Sequence, residues 1–194
     1  MASQTSSKQT FEDRGTEQFR VRMRPKAIAL YATLFPGCEF VDYRANGERG
    51  HILDQEYAID AELKSPIGCN FTLQEKFRTY EQLVKHGDFT QGWKTRFQTR
   101  DVGEGEWFHL NAAYYFYGWA NPDESDFAQW ILMNIPEYKL IVVRAGGLDK
   151  VGRQHPNRKH GQTAFYAIPL ATLRPAIIAA SNPLLVSERT DLNV

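Results

Sequence analysis

The stretch Asp60-Ala61-Glu62-Leu63-Lys64-Ser65-Pro66-Ile67-Gly68-Cys69-Asn70-Phe71-Thr72-Leu73-Gln74-Glu75-Lys76 decides how this chain is read. An apolar, strand-like run reaches Asp60. A turn rich in Pro, Gly and Asn follows, and a second strand-like run carries Gln74 and Lys76. Side chains alternate across a strand, so Gln74 and Lys76 share one face and Glu75 takes the other. If the two runs pair as a hairpin, Asp60, Gln74 and Lys76 converge at one end of a sheet.

Those three groups suit metal-assisted phosphodiester hydrolysis. The anionic oxygens of a phosphodiester repel a nucleophile, and a divalent cation offsets that charge and acidifies a bound water. Mg²⁺ takes hard oxygen ligands. Asp60 offers a carboxylate, Gln74 an amide oxygen, and Glu75 its backbone carbonyl as a third donor. Lys76 would orient the water or stabilise charge building on the phosphate.

Asp60, thirteen intervening residues (61–73) and Gln74-Glu75-Lys76 together resemble the PD-(D/E)XK, or restriction-endonuclease-like, nuclease superfamily. The resemblance implies an α/β (mixed α+β) fold. Its αβββαβ core would span residues 17–119, with a central mixed sheet flanked by helices and residues 120–194 as C-terminal additions. The family's second-strand aspartate maps to Asp60, its third-strand acid to Gln74, its lysine to Lys76, and its first-helix glutamate to Glu17. The resemblance further implies a hydrolase that cuts DNA with Mg²⁺ or Mn²⁺ in restriction, repair or phage DNA processing, with a homodimer as one arrangement. Two positions depart from the pattern. Ala58-Ile59 stands where Pro would precede the aspartate, and Gln74 replaces an acid, removing one negative charge from the metal site. A catalytically inactive relative that binds nucleic acid or protein is the alternative, and an unrelated α+β protein with an accidental motif is a third.

Length and composition agree with one domain over residues 11–186, between a disordered tail at 1–10 and a loose tail at 187–194. Hydrophobic residues make up 42% and charged residues 24%, which excludes a disordered chain. Lys plus Arg equals Asp plus Glu at 23 each, which argues against a broadly basic nucleic-acid coat. Cys38 and Cys69 lack metal-ligand spacing and read as two buried free thiols, with one disulfide between them as the alternative. No secretory leader or membrane-spanning run is seen, so a cytoplasmic location is expected. No phosphate-binding Gly-rich loop or nucleophile elbow occurs, and Gly103-Glu-Gly-Glu106 lacks the context of a dinucleotide fingerprint.

The expected elements run as follows. Thr16 caps a first helix, and Pro25 interrupts it or begins a second reaching Phe35. Strands follow at 39–43, 52–63 (after a loop at 46–50), 71–78 and 89–99, with 80–85 extending the sheet or forming a turn of helix. A short helix at 107–113 precedes a buried aromatic strand at 114–119 and a strand at 127–133. A helix at 136–144 stops at Gly146-Gly147. A polar loop at 148–163, a strand at 164–169 and a helix at 171–180, with Pro175 as a point where it could break, complete the order.

Alternative readings compete at each position. Gln74-Glu75-Lys76 also fits an exposed strand edge, Asp60 a turn-capping carboxylate, and Glu17 a surface charge. Asp54 and Glu56 are second choices for the metal, and Glu75 would replace Gln74 if a β-bulge rotated the strand. The aromatic run reads as core, with base stacking as the sharper alternative. Residues 150–160 contain no acid, so Lys150, Arg153, Arg158 and Lys159 form a local positive patch for phosphate contacts, or a solvated loop. Arg20, Arg22 and Arg24 are candidates for further backbone contacts. His155 and His160 lack zinc-site spacing.

Overall fold

The computed structural model describes residues 11–43, 52–53, 56–95, 102–157 and 163–186. The expected tails, Asp54, Arg158, Lys159, the loop at 46–50 and the far end of the 89–99 strand lie outside these residues. The molecule is a mixed α/β structure in which helices flank a central mixed sheet. Helix α1 (Phe11–Leu34) leads into β1 (Glu39–Asp42), β2 (Ala61–Lys64) and β3 (Asn70–Arg78). After α2 (Tyr80–Lys85) come β4 (Phe89–Thr95), β5 (Gly103–Glu104) and α3 (Glu106–His109). The chain then returns as β6 (Tyr114–Ala120), β7 (Phe127–Asn134) and α4 (Ile135–Ala145). It ends through α5 (Leu148–Val151), β8 (Arg153–Asn157), β9 (Thr163–Ile168), α6 (Leu170–Leu173) and β10 (Ile177–Ala180).

The central sheet has the order β1-β2-β3-β6-β7-β10. Its β3–β6 pair is parallel and its other pairs are antiparallel. A parallel pair needs a crossover. Here the crossover holds α2, β4, β5 and α3, and β4 and β5 join β9 and β8 in a second antiparallel sheet ordered β5-β4-β9-β8. Helix α1 covers one face of the central sheet, where Ala27 and Tyr31 meet Ala61, Leu63, Leu73, Phe116 and Leu132. Tyr115, Tyr117, Trp119 and Met133 emerge on the opposite face and pack with Phe89 of the second sheet and Tyr138 of α4. Strand β6 is thus buried on both sides, which accounts for its aromatic-rich sequence. Gly118 interrupts that run because a Cβ there would lie 2.5 Å from the Phe127 ring. Asn134 caps α4 by accepting the Glu137 N–H at 2.9 Å, and Gly146 ends it at φ 93°.

Several expectations change. Helix α1 begins at Phe11 and contains Pro25, so Thr16 is not its cap and Pro25 does not divide it. Packing of Met23, Ala27 and Tyr31 against the sheet outweighs the one hydrogen bond that proline removes. The expected strand 52–63 is extended only from Ala61: residues 52–53 and 56–57 are helical, and Ala58 adopts φ 48°. Of the two alternatives for residues 80–85, the helix is the one formed. The expected loop at 148–163 contains α5 and β8, the latter held by pairing to β9. The expected helix at 171–180 is α6, a 3₁₀ turn at Arg174–Ala176 and β10. Pro175 stops the helix, and β-branched Ile177 and Ile178 enter the open edge of β7. Cys38 and Cys69 are unbridged, but Cys38 is half-buried and Cys69 exposed. No helix among the described residues is long and apolar enough to cross a membrane.

Candidate active site

The hairpin of β2 and β3 brings Asp60 to the motif strand. Ala61 pairs with Leu73, so Asp60 lies beside the Gln74–Glu75 peptide. The Asp60 N–H donates to the Leu73 carbonyl at 2.8 Å, and the Glu75 N–H donates to Asp60 Oδ2 at 2.7 Å. Asp60 is fully buried. A buried carboxylate requires compensating partners, and α1 supplies one: Arg20 Nη1 stands 3.7 Å from Asp60 Oδ1, while its Nη2 donates to Glu17 Oε1 at 3.1 Å. Glu17 is therefore linked to Asp60 through Arg20.

The alternation along β3 sends Glu75 and Lys76 to different partners. Glu75 turns toward α1, where Arg24 Nη2 meets its Oε2 at 2.9 Å and the Tyr31 hydroxyl donates to its Oε1 at 2.8 Å. Arg24 also reaches Asp42 Oδ2 at 2.9 Å and donates to the Asp60 carbonyl at 3.4 Å. Burial, reinforced by the neighbouring Glu75 charge, holds the Tyr31 hydroxyl well above its ordinary pKa. Strand β3 pairs without register shift on both sides, so no bulge rotates Glu75 into the place of Gln74. Arg24, considered for nucleic-acid contacts, is buried. Arg22 pairs with Glu124 at the surface.

Lys76 points toward the second sheet. Its ammonium donates to the Thr90 carbonyl at 3.0 Å and to Glu106 Oε2 at 3.0 Å. The Tyr115 hydroxyl donates to Glu106 Oε1. Burial pushes the Glu106 carboxyl up, but the Lys76 charge, the Tyr115 and Lys76 hydrogen bonds and the Gly92 N–H together hold it below its usual pKa. The Glu106 charge raises the Tyr115 hydroxyl further, after burial, which is the larger cause. Further along β3, Arg78 Nε donates to the Tyr117 hydroxyl at 2.9 Å.

Gln74 is buried, and its amide oxygen has no hydrogen-bond partner among the described residues. Such an oxygen is a natural ligand for a hard cation. The donor set is otherwise lean, since no three His, Cys, Asp or Glu side chains gather as a metal-holding group among the described residues. Asp60 and Gln74 fit Mg²⁺ or Mn²⁺ as protein ligands only if water or substrate oxygens complete the shell, as Mg²⁺ commonly requires. Glu56 is exposed.

Of the basic patch, Lys150 and Arg153 are described, and Arg158 and Lys159 lie outside the described residues. Lys150 lies in α5 and pairs with Asp149 at 2.9 Å, and Arg153 opens β8 at the edge of the second sheet. Strand β8 stands two strand spacings, about 10 Å, from β4, which supplies the Thr90 carbonyl. Sequence reasoning missed Glu106, Tyr115, Tyr31 and the buried role of Arg24. The one local sign for Glu106 is an acid following Gly105 at a helix start; the thirty-residue separation from Lys76 has no pattern. Compared with protein-family models, with curated proteins and with solved structures, the chain matches none.

Proposed function

We propose that this protein is a divalent-metal-dependent nuclease of the PD-(D/E)XK type, hydrolysing DNA phosphodiester bonds. The observation that carries this reading is the 2.7 Å bond from the Glu75 N–H to Asp60, which ties the acid to the strand bearing Gln74 and Lys76. The topology supports it: a helix, three antiparallel strands and a fourth strand parallel to the third, ordered β1-β2-β3-β6, are compatible with an αβββαβ core whose crossover carries two extra strands. In this reading β7, β10 and most of the second sheet are additions.

Asp60 and the Gln74 amide oxygen would hold the cation, with Glu17 close by through Arg20. When bound, the cation acidifies water and offsets phosphate charge. Lys76 supplies positive charge at the developing phosphate oxyanion, and Arg20, whose Nη1 stands 3.7 Å from Asp60 Oδ1, adds a second positive charge beside the acid. The test is incubation of purified protein with duplex, single-stranded and branched DNA in Mn²⁺ or Mg²⁺, beside Lys76→Ala. Cleavage lost in that variant supports the reading; cleavage that persists rejects this site.

A second reading rests on the same contacts. Arg20 stands against Asp60 and no carboxylate trio is gathered among the described residues, an arrangement that suits a member of this fold that binds nucleic acid without cutting it. Calorimetric Mn²⁺ binding that Asp60→Ala abolishes favours the nuclease, whereas DNA binding that needs no cation favours the binding module.

A further inference from the structure

We propose that Glu106 is a positioning residue for Lys76, so that the second sheet is part of the reaction site rather than an appendage to it. The inference rests on the nuclease reading for its chemical meaning and on independent geometry for its substance. A lysine ammonium on a four-carbon stem is flexible and loses considerable freedom when fixed. Here it is fixed by two acceptors, both from the excursion between β3 and β6: the Thr90 carbonyl of β4 and Glu106 Oε2 of α3, each at 3.0 Å.

Glu106 is itself held. Tyr115, on the strand beside Gln74, donates to its other oxygen. Gly92 faces it so closely that an added Cβ would lie 3.2 Å from the Glu106 Cβ. Gly105, immediately before it, donates to the Trp93 carbonyl at 2.9 Å, and a Cβ there would stand 2.6 Å from the Trp93 carbonyl carbon. Two glycines and a tyrosine thus seat one carboxylate, and that carboxylate aims one ammonium. Both Glu106 oxygens are engaged, one by Lys76 and one by Tyr115, so the role assigned to Glu106 is to act through Lys76.

The experiment compares wild type with Glu106→Gln and Glu106→Ala, using uniformly ¹⁵N-lysine-labelled protein, Mn²⁺ calorimetry and steady-state cleavage. The ordered Lys76 ammonium gives a ¹H–¹⁵N cross-peak, assigned by its loss in Lys76→Arg. That peak should shift in Glu106→Gln and vanish in Glu106→Ala, while the other lysine peaks report an intact fold. Mn²⁺ affinity should stay within about twofold, and kcat should fall roughly 10–100-fold, as for other outer-layer partners, with KM little changed. An unmoved Lys76 peak in both variants overturns the inference, as does loss of Mn²⁺ binding in Glu106→Gln, which would make Glu106 a ligand. Wild-type protein that neither binds Mn²⁺ nor cuts DNA defeats the nuclease reading instead, and the dependence of the Lys76 peak on Glu106 is then decided by the spectra alone.

Discussion

Glu75 presents its backbone N–H to Asp60 and its side chain to Arg24, so one residue joins the acid of the candidate site to the helix that covers the sheet. Loss of Asp60 should therefore be felt twice. Asp60→Ala leaves the Glu75 N–H and the Arg20 guanidinium without their buried acceptor, at a cost of about 1–3 kcal/mol in urea unfolding. It should also eliminate Mn²⁺ binding. A variant of unchanged cation affinity would place the ligands elsewhere.

The Arg24–Glu75 pair is a buried ion pair bridged to Tyr31 and Asp42. Removing one partner strands the other. Glu75→Gln or Arg24→Met alone should destabilise by about 3–5 kcal/mol, and the double variant by less than the sum. Additive losses in a double-mutant cycle would show that the two groups do not act as a pair.

Acid stability should depend on Glu106. Its folded pKa is lowered from the ordinary 4.5, so its contribution is fully present above that value and lost as pH falls through the folded pKa. Wild-type protein should lose urea resistance below about pH 4.5 more steeply than Glu106→Gln, in which no carboxyl titrates at that position. Parallel profiles from pH 7 to 3 would contradict the shift. Exposed Glu81, Asp123, Glu124 and Asp149 are common to both proteins and cancel.

Ala58 sits at φ 48° two residues before Asp60, in a region where an L side chain costs roughly 1–2 kcal/mol. Ala58→Gly should match or exceed wild type in thermal midpoint, since strain relief offsets the added chain entropy. Ala58→Val should fall below it. A glycine variant clearly less stable than wild type would show that the turn is not strained.

Much of this architecture was legible in the sequence for a definable reason. The β2–β3 hairpin, β6 and α4 carry their own signals: a Pro-Gly-Asn turn, a dense aromatic run, and a glycine pair at the helix end. Opposite destinations for Glu75 and Lys76 follow from alternation alone. What was illegible depends on partners distant in the chain. Residues 153–157 are polar and contain Pro156, yet become β8 because β9 offers an edge. Ile177 and Ile178 follow a helical turn, yet join β7. Glu106 reaches Lys76 only after two strands of another sheet have formed, and no local spacing announces that meeting. The basic stretch was visible as charge, but the place of Arg153 on an edge strand is set by the order β4-β9-β8.

The parallel partnership of β3 and β6 also fixes an order of events during folding. β1, β2 and β3 need only near neighbours along the chain, so this meander closes small loops early. β6 can dock on β3 only after residues 79–113 have looped out and returned, and closing that longer loop costs more entropy. The Lys76 ammonium can consequently meet Thr90 and Glu106 only once this excursion has folded back, later than the meander that carries the lysine.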